Sequence, residues 1–184
     1  MLVIRPADGK ETTMAWLTAL TSGMPTCLIL TRQNLPQYDG CKCCMKKGGY
    51  ILSDCEGTPD VLLMASGSEV EQMMQAQEML KNDGVKARVI SMPSMELFLK
   101  QDKEYQEKVI PSAIRARVSM EAGVTMPWYR FVGLDGKALG IDHFGASAPA
   151  ATATATAANS IVFIAQLFAI TTTDVSDVRP KTLL

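Results

Sequence analysis

Apolar and polar positions along this chain follow two different periods, and each change of period marks an element. From Glu11 to Leu20, "ETTMAWLTAL" spreads Met14, Ala15, Trp16, Leu17, Ala19 and Leu20 over one wide helical face, so a helix is predicted. "TCLILT", Thr26 to Thr31, follows as a strand. Its four consecutive apolar residues, Cys27 to Leu30, read as buried, and Pro36 stops any further ladder. Pro36 to Gly49 is polar, rich in Gly and Lys and without apolar period, which predicts a linker. "GYILSD" is a short strand and Gly57-Thr58-Pro59 a turn.

The pattern then becomes regular. "DVLLMAS", Asp60 to Ser66, is a continuous apolar run, as expected of a strand covered on both faces. A helix follows from Glu69 to Asp83, with Val70, Met73, Met74, Ala76, Gln77 and Leu80 near helical spacing and Gly84 at the stop. "VKARVISM", Val85 to Met92, is the next strand, and this order implies a parallel pair with a right-handed crossover. Lys100 to Ile110 is a polar surface helix ended by Pro111. Ala116 to Ala122 is a strand, Pro127 to Gly133 a helix, and Lys137 to Asp142 a final strand. After Ala150 the character changes. "ATATATAANS" is low in complexity, and "IVFIAQLFAITTT" is apolar without an evident partner. A last helix, a stray strand and an unfolded tail all remain open there. If exposed, the segment is an aggregation site.

Composition narrows the function. The 184 residues suit one domain, or one domain with part of another. The net charge of −1 gives no basic field for nucleic acid or an anionic membrane surface. No apolar run approaches the ~20 residues of a membrane span. Met1-Leu-Val-Ile is followed at once by Arg5, Pro6 and Asp8, so no secretory signal is expected. The five cysteines, an odd count, then suggest reduced thiols in an intracellular protein. The "CKCC" cluster, Cys41, Cys43 and Cys44, does not match zinc spacing. Cys55 stands alone, and the only histidine, His143, is remote. No metal site is expected, and a solvated thiol-bearing loop is.

The candidate chemistry is sparse. Arg32 follows the predicted strand "TCLILT", where open α/β folds place ligand contacts, and its planar fork suits a phosphate. On this stretch alone, the favoured reading is that Arg32 simply solvates a strand end. "SGSE", Ser66 to Glu69, joins a core strand to a helix: Gly67 allows a tight turn, Ser68 can cap the helix, and together they form a candidate anion-binding loop. A plain capped helix start is the alternative. Glu121 ends a strand and can act as an acid or base, or pair with a neighbouring cation; pairing is the expected role. His143 has no nucleophile motif beside it. No nucleophile elbow, zinc motif or dinucleotide fingerprint appears, so the residues assemble no complete catalytic machine.

Taken together, the motifs are far more specific. "IRPADGKE" (Ile4 to Glu11), "TRQNLP" (Thr31 to Pro36), "KGGYILSDCEGTPDVLLMASGSEVE" (Lys47 to Glu71), "KARVISMPS" (Lys86 to Ser94), "QDKEYQEKVIPSAIRARVSMEAG" (Gln101 to Gly123) and "IDHFGASAP" (Ile141 to Pro149) resemble the C-terminal third of transketolase in order and spacing. That resemblance implies a mixed, mostly parallel sheet flanked by helices. It makes residues 1–40 a remnant of the pyrimidine-binding domain, 41–47 a linker, 48–150 the C-terminal domain and 151–184 a divergent tail. It implies transfer of a two-carbon ketol unit between sugar phosphates in the pentose phosphate pathway or the reductive cycle. Full-length members use thiamine diphosphate with Mg or Ca and form homodimers in the cytoplasm, or in the plastid if a transit peptide precedes them. Arg32 falls on the family arginine that grips the substrate phosphate. The diphosphate- and metal-binding part of the family pattern has no counterpart here. The resemblance therefore implies no cofactor bound to this chain alone and no independent turnover. The rival readings are a non-catalytic anion- or nucleotide-binding module and a dimerisation module.

Overall fold

The computed structural model describes residues 1–39 and 44–143. It contains a small two-stranded unit followed by a five-stranded α/β sheet. In the small unit, β1 (Leu2–Ile4) pairs in parallel with β2 (Thr26–Leu28) across the helix α1 (Gly9–Thr21). Asp8 starts α1 by accepting from the Glu11 backbone N–H at 2.8 Å. A short helical turn, Cys44–Lys47, leads into the larger sheet.

That sheet contains β3 (Tyr50–Ser53), β4 (Val61–Ala65), β5 (Ala87–Ser91), β6 (Arg117–Met120) and β7 (Lys137–Leu139). Their spatial order is β3-β5-β4-β6-β7, antiparallel at β3–β5 and parallel elsewhere. This is the mixed, mostly parallel sheet that the resemblance implies. Helix α2 (Val70–Asn82) joins β4 to β5. Helices α3 (Met95–Leu99), α4 (Lys103–Val109) and α5 (Tyr129–Val132) complete the layers.

All five residues of β4 are buried, and the two-residue period divides them between two cores. Val61, Leu63 and Ala65 pack with Val70, Met73, Ala76 and Leu80 around α2. Leu62 and Met64 face the other way, onto Phe98, Val109, Trp128 and Phe131. There Phe98–Phe131 and Trp128–Phe131 ring centroids lie 6.1 and 6.0 Å apart in tilted and edge-on contact.

Two expectations need correction. "TCLILT" is not a buried strand running to Thr31: β2 ends at Leu28, and Ile29 and Leu30 are exposed. The cause is β1, which stops at Ile4 before Arg5-Pro6 and leaves nothing beyond for the ladder to pair with. The stretch Pro36 to Gly49 is also more than a linker. It holds the turn with buried Met45, and Gly48 and Gly49 pass so close to α3 that a Cβ on Gly48 would lie 2.3 Å from the Ser94 carbonyl oxygen. The tail 151–184 and the residues Cys41 and Cys43 lie outside the described residues.

Candidate functional site

Strand order determines where a ligand crevice should open. From β4 the chain passes through α2 to β5 on one side, then crosses to β6 on the other. The carboxyl ends of β4 and β6 therefore flank a topological switch point, the place where open α/β sheets bind ligands. Ser66 and Gly67 follow β4 here, and Glu121 follows β6. Gly67 takes φ +61, the tight turn that the sequence suggested.

Ser68 does not cap the helix. The short turn Gly67–Glu69 precedes α2, with Ser66 at its N-cap and no side-chain cap bond, and Ser68 Oγ donates to Glu69 Oε1 at 2.7 Å. The group brought against this loop is a cation. Arg5, one residue past β1, donates through Nη2 to Glu69 Oε2 at 3.3 Å, and its Nε lies 2.9 Å from Glu121 Oε1. Glu121 also accepts from Ser66 Oγ at 3.0 Å and Trp128 Nε1 at 2.6 Å. Its expected role, pairing with a neighbouring cation, is what the geometry shows.

A second polar cluster lies on the same seam. Glu11 is buried in the first turn of α1 and enters no ion pair among the described residues. Its carboxylate accepts from the Ala7 N–H at 2.7 Å, Tyr50 Oη at 2.7 Å and Ser91 Oγ at 2.6 Å. Burial pushes this carboxyl above the ordinary glutamate value, although the three donors oppose the shift. The same burial, together with the Glu11 charge, raises the Tyr50 phenol. Sequence reasoning assigned no role to Arg5 or Glu11. Both had a signal: an arginine before proline at a strand end, and the D-x-x-E spacing of Asp8 and Glu11 that marks a capped helix start.

Arg32 is exposed, four residues beyond the end of β2 rather than directly after its strand. Among the described residues it enters no ion pair. It is not brought together with Gly67 and Ser68, whose loop is taken up by Arg5. Cys44 opens the helical turn, Cys27 and Cys55 are free thiols, and burial raises the Cys55 thiol. His143 is exposed beside Asp142, whose carboxyl is held low by the Thr125 N–H and hydroxyl.

A family model for the transketolase-like C-terminal domain matches residues 48–158. The chain belongs to the transketolase family. It is 48% identical over 152 residues to a Streptococcus pyogenes transketolase, covering 80% of this chain and 21% of that protein. To transketolase 10 of Craterostigma plantagineum it is 51% identical over 155 residues, covering 82% and 23%. Among solved structures, Leishmania mexicana transketolase superposes with a TM-score of 0.84 at 33% identity, over 96% of this chain and 26% of that one. Pichia stipitis transketolase in complex with sedoheptulose 7-phosphate gives 0.80 at 33% identity, over 91% and 25%. The chain thus corresponds to the C-terminal region of transketolases and spans between a fifth and a quarter of the length of these two curated relatives.

Transketolases use thiamine diphosphate with a divalent cation. Among the described residues, no three His, Cys, Asp or Glu side chains gather to hold a metal ion. The crevice at the switch point is lined by the carboxylates of Glu69 and Glu121, both paired with Arg5. Also among the described residues, no helix is long and apolar enough to cross a membrane.

Proposed function

We propose that this sequence supplies the C-terminal part of a thiamine-diphosphate-dependent transketolase, which transfers a two-carbon ketol unit between sugar phosphates. In this reading residues 1–40 are the end of the pyrimidine-binding domain, 41–47 the linker, and 48–150 the C-terminal domain, with 151–184 a divergent tail. The observation that carries it is the agreement of order, spacing and fold with transketolases along most of the chain. The small unit supports it too. Trp16, Leu17 and Leu20 on α1 and Ile29 and Leu30 after β2 are exposed among the described residues, apolar surface that a further part of a larger enzyme would cover. The complete enzyme would be a homodimer in the cytoplasm, or in the plastid.

Arg32 is the residue of this chain that contacts the substrate phosphate. Its guanidinium is exposed and engaged in no ion pair among the described residues, so its fork is available for a phosphate. Gly67 meets Arg5 and Ser68 donates to Glu69, so in this reading the loop is engaged within the chain rather than with the phosphate.

Two measurements test this reading. The chain alone, with thiamine diphosphate and Mg²⁺, should not convert xylulose 5-phosphate and ribose 5-phosphate. Turnover above buffer in material free of host transketolase would refute it. In a complete transketolase that contains this sequence, Arg32→Ala should lower kcat/KM for phosphorylated donors about ten- to a hundredfold, the scale of one charge-assisted hydrogen bond. Non-phosphorylated donors should lose much less. Equal losses would return Arg32 to a solvated strand end.

A further inference from the structure

We propose that the switch-point crevice of the five-stranded sheet is a guanidinium-binding site, and that its occupant is this chain's own Arg5. The N-terminal segment then docks on the sheet as a ligand would. Two carboxylates, from Glu69 and Glu121, meet the Arg5 side chain, and all three side chains are less than one-fifth exposed. Two facing carboxylates select a cation, and the planar fork of a guanidinium can meet both at once. A compact ammonium cannot span them in the same way.

The site is built independently of its occupant. Glu121 is oriented by Ser66 Oγ and Trp128 Nε1, and Glu69 by Ser68 Oγ, all from the sheet's own loops. The loop glycines lie beside the guanidinium, at a distance where even a Cβ would make only ordinary contact. A Cβ on Gly67 would lie 3.7 Å from Arg5 Nε, and one on Gly123 would lie 3.9 Å from Arg5 Nη1. The Arg5 backbone is fastened at the same point: its N–H donates to the Pro93 carbonyl at 2.8 Å, and its carbonyl accepts from Gly67 N–H at 3.0 Å. Side chain and main chain together tie the end of β1 to the ends of β4 and β5. An α/β sheet normally leaves this crevice to a ligand, whereas here it serves as a latch between two parts of one chain.

Removing the occupant should leave a vacant site with its own specificity. In the full chain, Arg5→Ala should melt below the parent and gain a saturable upward shift of the melting midpoint with ethylguanidinium at millimolar concentration. The parent should show no such shift, and ethylammonium at matched ionic strength should not reproduce it. A missing shift in Arg5→Ala, or an equal one in the parent, would overturn the proposal. Should Arg5→Ala not fold, Glu121→Gln decides. Amide exchange should rise at Arg5 and Gly67, while the Met64 and Ile90 amides keep their protection. Unchanged exchange at Arg5 and Gly67, or an equal rise at all four amides, would overturn it as well.

Discussion

Leu63, at the centre of the five-stranded sheet, is fully buried, whereas Leu20 on α1 is 78% exposed. The two leucines belong to parts of the chain that are stabilised differently. The larger sheet has apolar cores on both faces, closed by α2 on one side and by α3 to α5 on the other. The small unit has two three-residue strands and a helix whose apolar residues largely face outward. Beside the buried Leu2, Ile4, Ala7 and Ala15, its contacts across to the sheet are polar and specific: Arg5 to Glu69 and Glu121, and Glu11 to Tyr50 and Ser91. Apolar burial is roughly proportional to area and tolerates small shifts, whereas hydrogen bonds to buried carboxylates depend on each partner. Damage to the sheet should therefore unfold everything, and damage to the seam should release the small unit first.

The largest effect is expected where the chain enters the sheet. Gly48 has φ +81, and Gly49 sits 2.5 Å, measured from a Cβ built on it, from Met92 Sδ. Gly48→Ala adds a disfavoured backbone conformation to a clash with the backbone of α3, at a cost of about 3–5 kcal/mol. Urea unfolding of the full chain should show one early, cooperative loss of all structure. A shift of the midpoint equivalent to less than 1 kcal/mol would mean that α3 yields easily there.

Glu11→Ala should come next. It strands the Ala7 N–H, the Tyr50 hydroxyl and the Ser91 hydroxyl, with a cost of about 2–3 kcal/mol. The loss should be local. Amides of β1 and β2 should exchange faster, while those of β4 and β5 change little. Equal acceleration in both sheets would show that the two parts unfold as one unit.

The same carboxyl gives a pH test with a defined sign. Burial raises the folded-state value of Glu11 above its ordinary 4.5. Native protein therefore holds a proton that the unfolded chain has released, and stability falls as pH rises from about 4.5 through the folded value. Glu11→Gln removes this dependence. Its stability should exceed the parent's increasingly as pH rises through that window, provided the amide keeps the three contacts. Asp142 acts in the opposite sense, since Thr125 holds its carboxyl low, but it is common to both proteins and cancels in the difference. A flat difference curve would place Glu11 in a more hydrated setting than its burial indicates.

The sequence was most legible where apolar burial alone decides structure. β4, α2 and β5 stand out because a strand covered on both faces is continuously apolar and α2 repeats at helical spacing. β1 and α3, of three and five residues, are too short for any period to show. β2 was overextended because "LIL" looks the same whether or not a partner strand reaches it. Of the candidate site, Gly67 was correctly seen as a tight turn, but its neighbour across the crevice could not be. Arg5 lies 64 residues from Glu69 in sequence, and only the crossing order of the strands brings them together.

The smallest effect is expected at Arg32, and it separates the two arginines that follow strands in the small unit. Arg5 is mostly buried and ion-paired to two carboxylates. Arg32 is exposed in the bend after β2 and enters no ion pair among the described residues. Its substitution by alanine removes neither a core contact nor a buried hydrogen bond. A surface change of this kind alters stability by within about 0.5 kcal/mol. Urea midpoints of the parent chain and Arg32→Ala should therefore coincide within error, while Arg5→Ala shifts clearly downward. If Arg32→Ala also lowers the midpoint by more than that margin, its guanidinium is tied into the fold. It would then not be available for a phosphate, and the proposed substrate contact would have to be sought elsewhere on the chain.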